Sequence, residues 1–194
     1  MDREKYRLSL KELAAFLKDP LAAREAISRF DQAVDDLFEP LRGNVWLDRL
    51  FYSASAVADH SIIWFLLAGI KALRSDQQAK LAKRAAIALA AESVVVNLGV
   101  KSLFRRQRPS FEGERPLPLR QPLTSSFPSG HSSAAVCAYV FLSENDSLAP
   151  LYLLIALIVA PSRIHVKIHH ASDVVGGLIV GWIFAKLFRN LFRD

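Results

Sequence analysis

The stretch SLAPLYLLIALIVAPS, residues 147–162, is sixteen uncharged residues that end against Arg163. As a helix it would be roughly 24 Å long, somewhat short of a hydrocarbon core of about 30 Å. Taken alone it reads equally as a buried helix of a soluble bundle. Its neighbours decide the matter. Four further apolar segments lie at about 53–73, 85–100, 131–143 and 173–188, joined mostly by short connections. None alternates with period two, so no strand is expected. Five such segments within residues 51–194 predict an all-α, antiparallel helical bundle with five transmembrane helices.

Residues 1–50 have a different texture. They carry nine basic and ten acidic side chains, whereas residues 51–194 carry sixteen basic and nine acidic. Leu8–Leu17 reads as an amphipathic stretch. Asp19-Pro20 reads as an N-cap followed by proline at the first helical position. Ile27, Phe30, Val34 and Leu37 recur at helical spacing, so 20–39 is predicted as a second amphipathic helix packed on a core. No signal peptide is evident. The expected organisation is therefore an N-terminal amphipathic region, 1–50, and a helical bundle, 51–194. The chain's 52% apolar content and mean hydropathy of +0.19 average over these two parts. The single cysteine, Cys137, excludes an internal disulfide and a cysteine-based zinc cluster.

The long connection, 101–130, is rich in Arg, Pro and Ser, and a loop of that length inside a compact domain is usually functional. Its Lys101, Arg105, Arg106, Arg108, Arg115 and Arg120 suggest a phosphate-bearing partner. Three clusters carry the chemistry. Lys101 and Arg108-Pro109 close the second apolar segment. Pro128-Ser129-Gly130-His131 opens the third. Arg163 ends the fourth, and His169 and Asp173 begin the fifth. The segments alternate in direction, so all three clusters converge on one end of the bundle.

Lys101, Arg108 and Arg163 can surround a phosphate dianion, and arginine can do so bidentately. Ser129 and Gly130 offer backbone N–H groups at a helix start, a natural anion site where glycine permits close approach. His169 and Asp173 are spaced i, i+4 and share a helix face. A carboxylate there holds the imidazole in one tautomer, which makes His169 the nucleophile. His131 remains as the general acid for the leaving oxygen.

Lys101-x6-Arg108-Pro109, Pro128-Ser129-Gly130-His131 and Ser162-Arg163-x5-His169-x3-Asp173 resemble the tripartite signature of the type 2 phosphatidic acid phosphatase family. That superfamily also includes bacterial acid phosphatases and vanadium haloperoxidases. The resemblance implies a metal-independent phosphatase with no cofactor and a phosphohistidine intermediate on His169, oriented by Asp173. His131 would protonate the leaving group, and Lys101, Arg108, Ser129, Gly130 and Arg163 would hold the phosphate. The expected partner is a phosphorylated lipid in a membrane, not a nucleic acid. Phosphatidic acid, phosphatidylglycerol phosphate and polyprenyl phosphates or diphosphates are the substrates the resemblance suggests. A broad-specificity soluble phosphatase and a vanadium haloperoxidase are the alternatives on the same motifs.

Other residues carry weaker readings. Asp59, His60 and Glu92 are ionisable groups inside apolar segments, which marks them as functional candidates. Solvation at a helix end would account equally for the first two. Arg105 and Arg106 read as headgroup ligands or a solvated helix end, and Ser125 and Ser126 as hydrogen-bond donors or a turn. Arg115 and Arg120 read as a substrate entrance or plain loop charge. His165 and Lys167 read as rim groups, and His170 as structural. Five crossings put the N-terminus on the active-site side. The acidic N-terminal region then favours a cytoplasmic site, whereas the basic 74–84 segment favours the opposite orientation. A bacterial inner membrane is the expected location, with the side of the site left open.

Overall fold

The computed structural model describes residues 19–112 and 114–191, and among them every regular element is helical. Helix α1, Pro20–Phe38, starts where the Asp19 carboxylate accepts from the N–H groups of Leu21 (2.9 Å) and Ala22 (3.4 Å). A short turn at Glu39–Leu41 and a left-handed Gly43 (φ +82°) end it. The stretch Leu8–Leu17 lies outside the described residues. The expected packing of α1 is only partly realised. Val34 and Phe38 touch a small cluster around Ala160, Ile164, Ala171 and Val174, while Ile27, Phe30 and Leu37 are exposed. The buried residue of α1 is Asp31. The helix is held through its polar side, by Asp31 on Ser172 and Arg106 and by Asp35 on Arg42 and Lys167. That anchoring turns part of the apolar stripe outward.

The first apolar segment is two helices, α2 (Val45–Val57) and α3 (Ile62–Ala72), bent by 63°. At the break His60 (φ 52°) and Ser61 (φ 61°) are left-handed. Helix α4, Asp76–Val94, continues through a π turn, Val95–Gly99, and a 3-10 turn, Val100–Leu103. It begins about ten residues before the expected boundary. The polar, basic stretch read as a connection is its first turns, capped by Ser75 on the Gln78 N–H (3.2 Å). Helices α5 (Gly130–Leu142), α6 (Ala149–His165) and α7 (Ala171–Leu191) follow close to their expected positions.

Helix α5 is central and meets α3, α4, α6 and α7. Its inward residues are mostly small: Ala134, Ala135, Cys137 and Ala138, with Phe141 and Leu142 near the far end. On α7, Gly177 and Gly181 let the two helices approach. A Cβ at either would collide with the carbonyl oxygen of Ser129 or Ser133 respectively. Small residues at helix contacts are how apolar bundles pack without a hydrophobic drive between helices. At the end away from the motifs, buried Lys71 donates to the carbonyls of Leu142 (2.7 Å) and Glu144 (2.9 Å) and pairs with Asp146 (3.1 Å). Arg74, the Leu148 N–H and the Tyr152 hydroxyl complete the Asp146 shell at 2.6, 2.9 and 3.0 Å.

The outer surface is apolar over much of its extent. Phe65, Leu66, Leu157, Ile179, Trp182 and Leu187 are among the exposed large side chains, whereas Trp64 is fully buried. Two helices, Asp76–Leu103 and Ala171–Asn190, are long and apolar enough to cross a membrane. The bent pair Val45–Val57 and Asp59–Ala72 makes a third if it is one span. Helices α5 and α6 are shorter and apolar.

Candidate active site

Each motif arrives on an element end. Lys101 sits in the 3-10 turn that closes α4, and Ser129 is the N-cap of α5, its hydroxyl 3.4 Å from the Ser132 N–H. Arg163 lies in the last turn of α6 and Asp173 in the first turn of α7. Between them the backbone N–H groups of Ile168 and His169 both donate to the Arg163 carbonyl at 3.1 Å. That tight turn places His169 against both helices. The Ser129 N–H donates to the Asp173 carbonyl at 2.9 Å, which ties the start of α5 to the start of α7.

His169 is 2% exposed. Its Nδ1 faces Asp173 Oδ2 (3.6 Å) and Ser126 Oγ (3.5 Å), and its Nε2 lies 3.3 Å from Arg108 Nη1. Burial holds its pKa down to about 3 despite the Asp173 carboxylate, with Arg163 and Arg108 acting in the same direction as burial. The imidazole is therefore neutral near pH 7, with a lone pair available. Asp173 also accepts from the Ser126 hydroxyl (2.5 Å), the His170 N–H (2.9 Å) and Arg106 Nη1 (2.6 Å).

Arg163 is 1% exposed. It donates from Nη1 to Ser55 Oγ, while its Nε and Nη2 have no hydrogen-bond partner among the described residues. Buried donors without partners are costly. An oxyanion seated there would satisfy both. Lys101 is buried next to Gly130, and a Cβ on that glycine would stand 3.6 Å from Lys101 Nζ. Arg108 spends much of its guanidinium on the carbonyls of Pro122 (3.1 Å), Thr124 (3.0 Å), Ser125 (3.2 Å) and Ile168 (2.9 Å). It shapes the loop as well as carrying charge to the site. His131 Nε2 donates to the Ser55 carbonyl (3.0 Å) and stands 3.3 Å from Asp59 Oδ1.

The structure thus gathers the three motifs at one end of the bundle and adds residues that the motifs do not contain. Arg106, read as a headgroup ligand or a solvated helix end, is part-buried. It bridges Asp173 to Asp31 of α1, 2.5 Å away. His165 is not a rim group; it is buried and bonded to Asp48 at 2.7 Å. Ser126 is a hydrogen-bond donor to Asp173. Arg115 stacks on Phe111 (4.2 Å) and caps the carbonyl of Val166. Ser55 had no sequence signal, and Asp31 had none beyond its helix; Asp59 was visible as a charge inside an apolar run. Beside His169 a cleft of about 1280 Å³ opens between α1 and the motif loops, lined by Asp31, Arg106, Phe127, Lys167 and Ser172.

Comparison with known proteins agrees with this arrangement. The family model of the PAP2 superfamily matches residues 81–194. Phosphatidylglycerophosphatase B of Bacillus subtilis is 32% identical over 108 residues, which are 50% of this chain and 51% of that protein. That match therefore spans about half of the relative's length. Decaprenylphosphoryl-5-phosphoribose phosphatase of Mycolicibacterium smegmatis is 32% identical over 125 residues, covering 63% of this chain and 67% of that one. In three dimensions the chain is similar to a crystal structure described as the first transmembrane PAP2 type phosphatidylglycerolphosphate phosphatase from Bacillus subtilis. The TM-score is 0.65 at 24% identity, over 95% of this chain and 98% of that one. The fold is thus shared with a transmembrane protein over nearly the whole length, and the matched residues include all three motifs: the chain belongs to the PAP2 superfamily.

Proposed function

We propose that the chain is an integral membrane lipid phosphatase that hydrolyses a phosphate monoester or diphosphate through a phosphohistidine on His169. The observation that carries this reading is the pairing of a buried, neutral His169 with a buried Arg163 whose Nε and Nη2 lack partners. One is a nucleophile and the other is half of an oxyanion seat. Lys101, Arg108 and the Gly130 N–H supply the remaining positive potential; the Ser129 N–H, expected in the anion seat, is spent on the Asp173 carbonyl, and Asp173 orients His169. His131 donates the proton to the leaving oxygen. Developing charge on the transferred phosphoryl group is met by fixed cations, so the reading is metal-independent.

The membrane part of the proposal rests on the apolar exterior. It takes the bent α2–α3 pair and helices α4 to α7 as five crossings, with α1 on the active-site side. The named relatives act on phosphatidylglycerophosphate and on a decaprenylphosphoryl phosphoribose, and both are phosphate monoesters on a lipid. The same class is proposed here. A phosphate-release panel in detergent micelles tests it, comparing polyprenyl monophosphate, polyprenyl diphosphate, phosphatidic acid and phosphatidylglycerol phosphate. Release from at least one lipid, lost in His169→Ala, is the expected result. Undiminished release by His169→Ala overturns the nucleophile. Extraction from membranes by alkali, with activity on soluble esters alone, overturns the lipid reading.

A further inference from the structure

We infer that Asp59, at the break between α2 and α3, is the positioning residue that makes His131 a proton donor. The inference rests on the phosphatase reading above. Its basis is the geometry at His131 Nε2. A backbone carbonyl only accepts, so the 3.0 Å contact with the Ser55 carbonyl requires a hydrogen on Nε2. Asp59 Oδ1 stands beside the same N–H at 3.3 Å. With Nε2 so engaged, Nδ1 is the ring nitrogen left to face the substrate.

A general acid must be protonated before the bond breaks. Burial of His131 and the nearby Arg163 guanidinium both oppose a positive charge on its ring. Among the described residues, Asp59 is the carboxylate in contact with His131. It offsets part of that opposition, in the direction that favours the imidazolium. In the reaction, His169 Nε2 bonds to phosphorus while the ester P–O bond breaks and its electron pair goes to the leaving oxygen. That oxygen takes the proton from His131 Nδ1. The ring returns to its neutral form with Nε2–H retained, and Asp59 stays ionised throughout. When water attacks phosphorus, His131 Nδ1 takes the water's proton, the P–N bond breaks with its electron pair returning to His169 Nε2, inorganic phosphate leaves, and the cycle closes.

The backbone supports this assignment independently. Asp59 is brought to His131 by the 63° bend of the α2–α3 pair, in which His60 and Ser61 both hold left-handed conformations. Such conformations are uncommon outside glycine and collect at functional sites. On the same segment Ser55 binds His131 through its carbonyl and Arg163 through its hydroxyl. The last turn of α2 and the break together present three groups to the site, although they lie about forty residues before the first motif.

Leaving-group dependence tests the role. Asp59→Asn keeps size and hydrogen-bonding capacity and removes only the charge. Compare kcat/KM, which reports the step that expels the leaving group, for an alkyl phosphate and for p-nitrophenyl phosphate. A nitrophenolate departs without a proton, whereas an alkoxide needs one. The alkyl-to-nitrophenyl ratio should fall by about tenfold or more, within the range of general acid catalysis. In a His131→Ala background the same substitution should leave the ratio unchanged. Equal losses on both esters, or no loss on either, overturn the inference, as does an undiminished effect of Asp59→Asn without His131. If the phosphatase reading itself is wrong, the wild-type protein releases phosphate neither from these esters nor from any lipid of the panel.

Discussion

His169 combines two properties that water would keep apart: it is a histidine beside a carboxylate, and yet it is held neutral. Burial and the surrounding guanidinium groups outweigh Asp173, so its folded pKa is about 3 against an ordinary 6.5. Between those values the unfolded chain binds a proton that the folded chain refuses. Stability from this group is complete above pH 6.5 and declines as pH falls toward 3, at up to about 1.4 kcal/mol per unit. Denaturant unfolding in detergent at pH 7 and at pH 5 checks this. His169→Gln should show a shallower fall than the wild type, and identical slopes would contradict the assignment. His169, Asp173, Arg163 and the Ser129-Gly130 pair were legible in the sequence because their chemistry depends on spacing within one turn or at one helix end. Ser55 and Asp31 were not. Their partners lie 75 to 141 positions away, and no local pattern encodes such a contact.

At the scale of elements, the apolar runs located the helices, and polarity misplaced one boundary. The start of α4 carries Lys80, Lys83 and Arg84, which resemble a loop until the Ser75 cap is seen. The break between α2 and α3 was equally hidden, since neither Gly nor Pro marks it. The close approach of α5 and α7 was likewise invisible, because glycines in an apolar helix announce no partner. That contact carries a prediction. Gly181→Ala would press a Cβ on the Ser133 backbone and cost about 1–3 kcal/mol, seen as a lower melting temperature in detergent. Gly177→Ala meets the carbonyl of Ser129 instead, so phosphate release should fall even at temperatures where the protein stays folded. Gly69 in α3 has open space around it and serves as the control. There Ala should be neutral or stabilise by up to about 1 kcal/mol, as its helix propensity allows. Equal melting temperatures for Gly181→Ala and Gly69→Ala would argue against tight α5–α7 packing.

For the whole molecule, charge is sorted by position. The motif cations gather at one end, Lys71, Arg74 and Asp146 close the other, and the flanks between are apolar. An odd number of crossings follows if α2–α3 counts as one, and it fixes which surfaces share a side. Glu25 on α1 and Gln121 in the long loop then face the same compartment, while Gln77 at the start of α4 faces the other. The lone Cys137 is buried, so the wild-type background should be silent toward an impermeant maleimide. In sealed vesicles of one orientation, Glu25→Cys and Gln121→Cys should label together, and Gln77→Cys should label only after the vesicles are opened, or the reverse in inverted vesicles. Labelling of Glu25→Cys together with Gln77→Cys, and not with Gln121→Cys, would mean an even number of crossings, four or six. The bent pair would then be a re-entrant element or α1 a true span, and the Asp31–Arg106 contact could not form as described, because both groups must lie at one surface for it to exist.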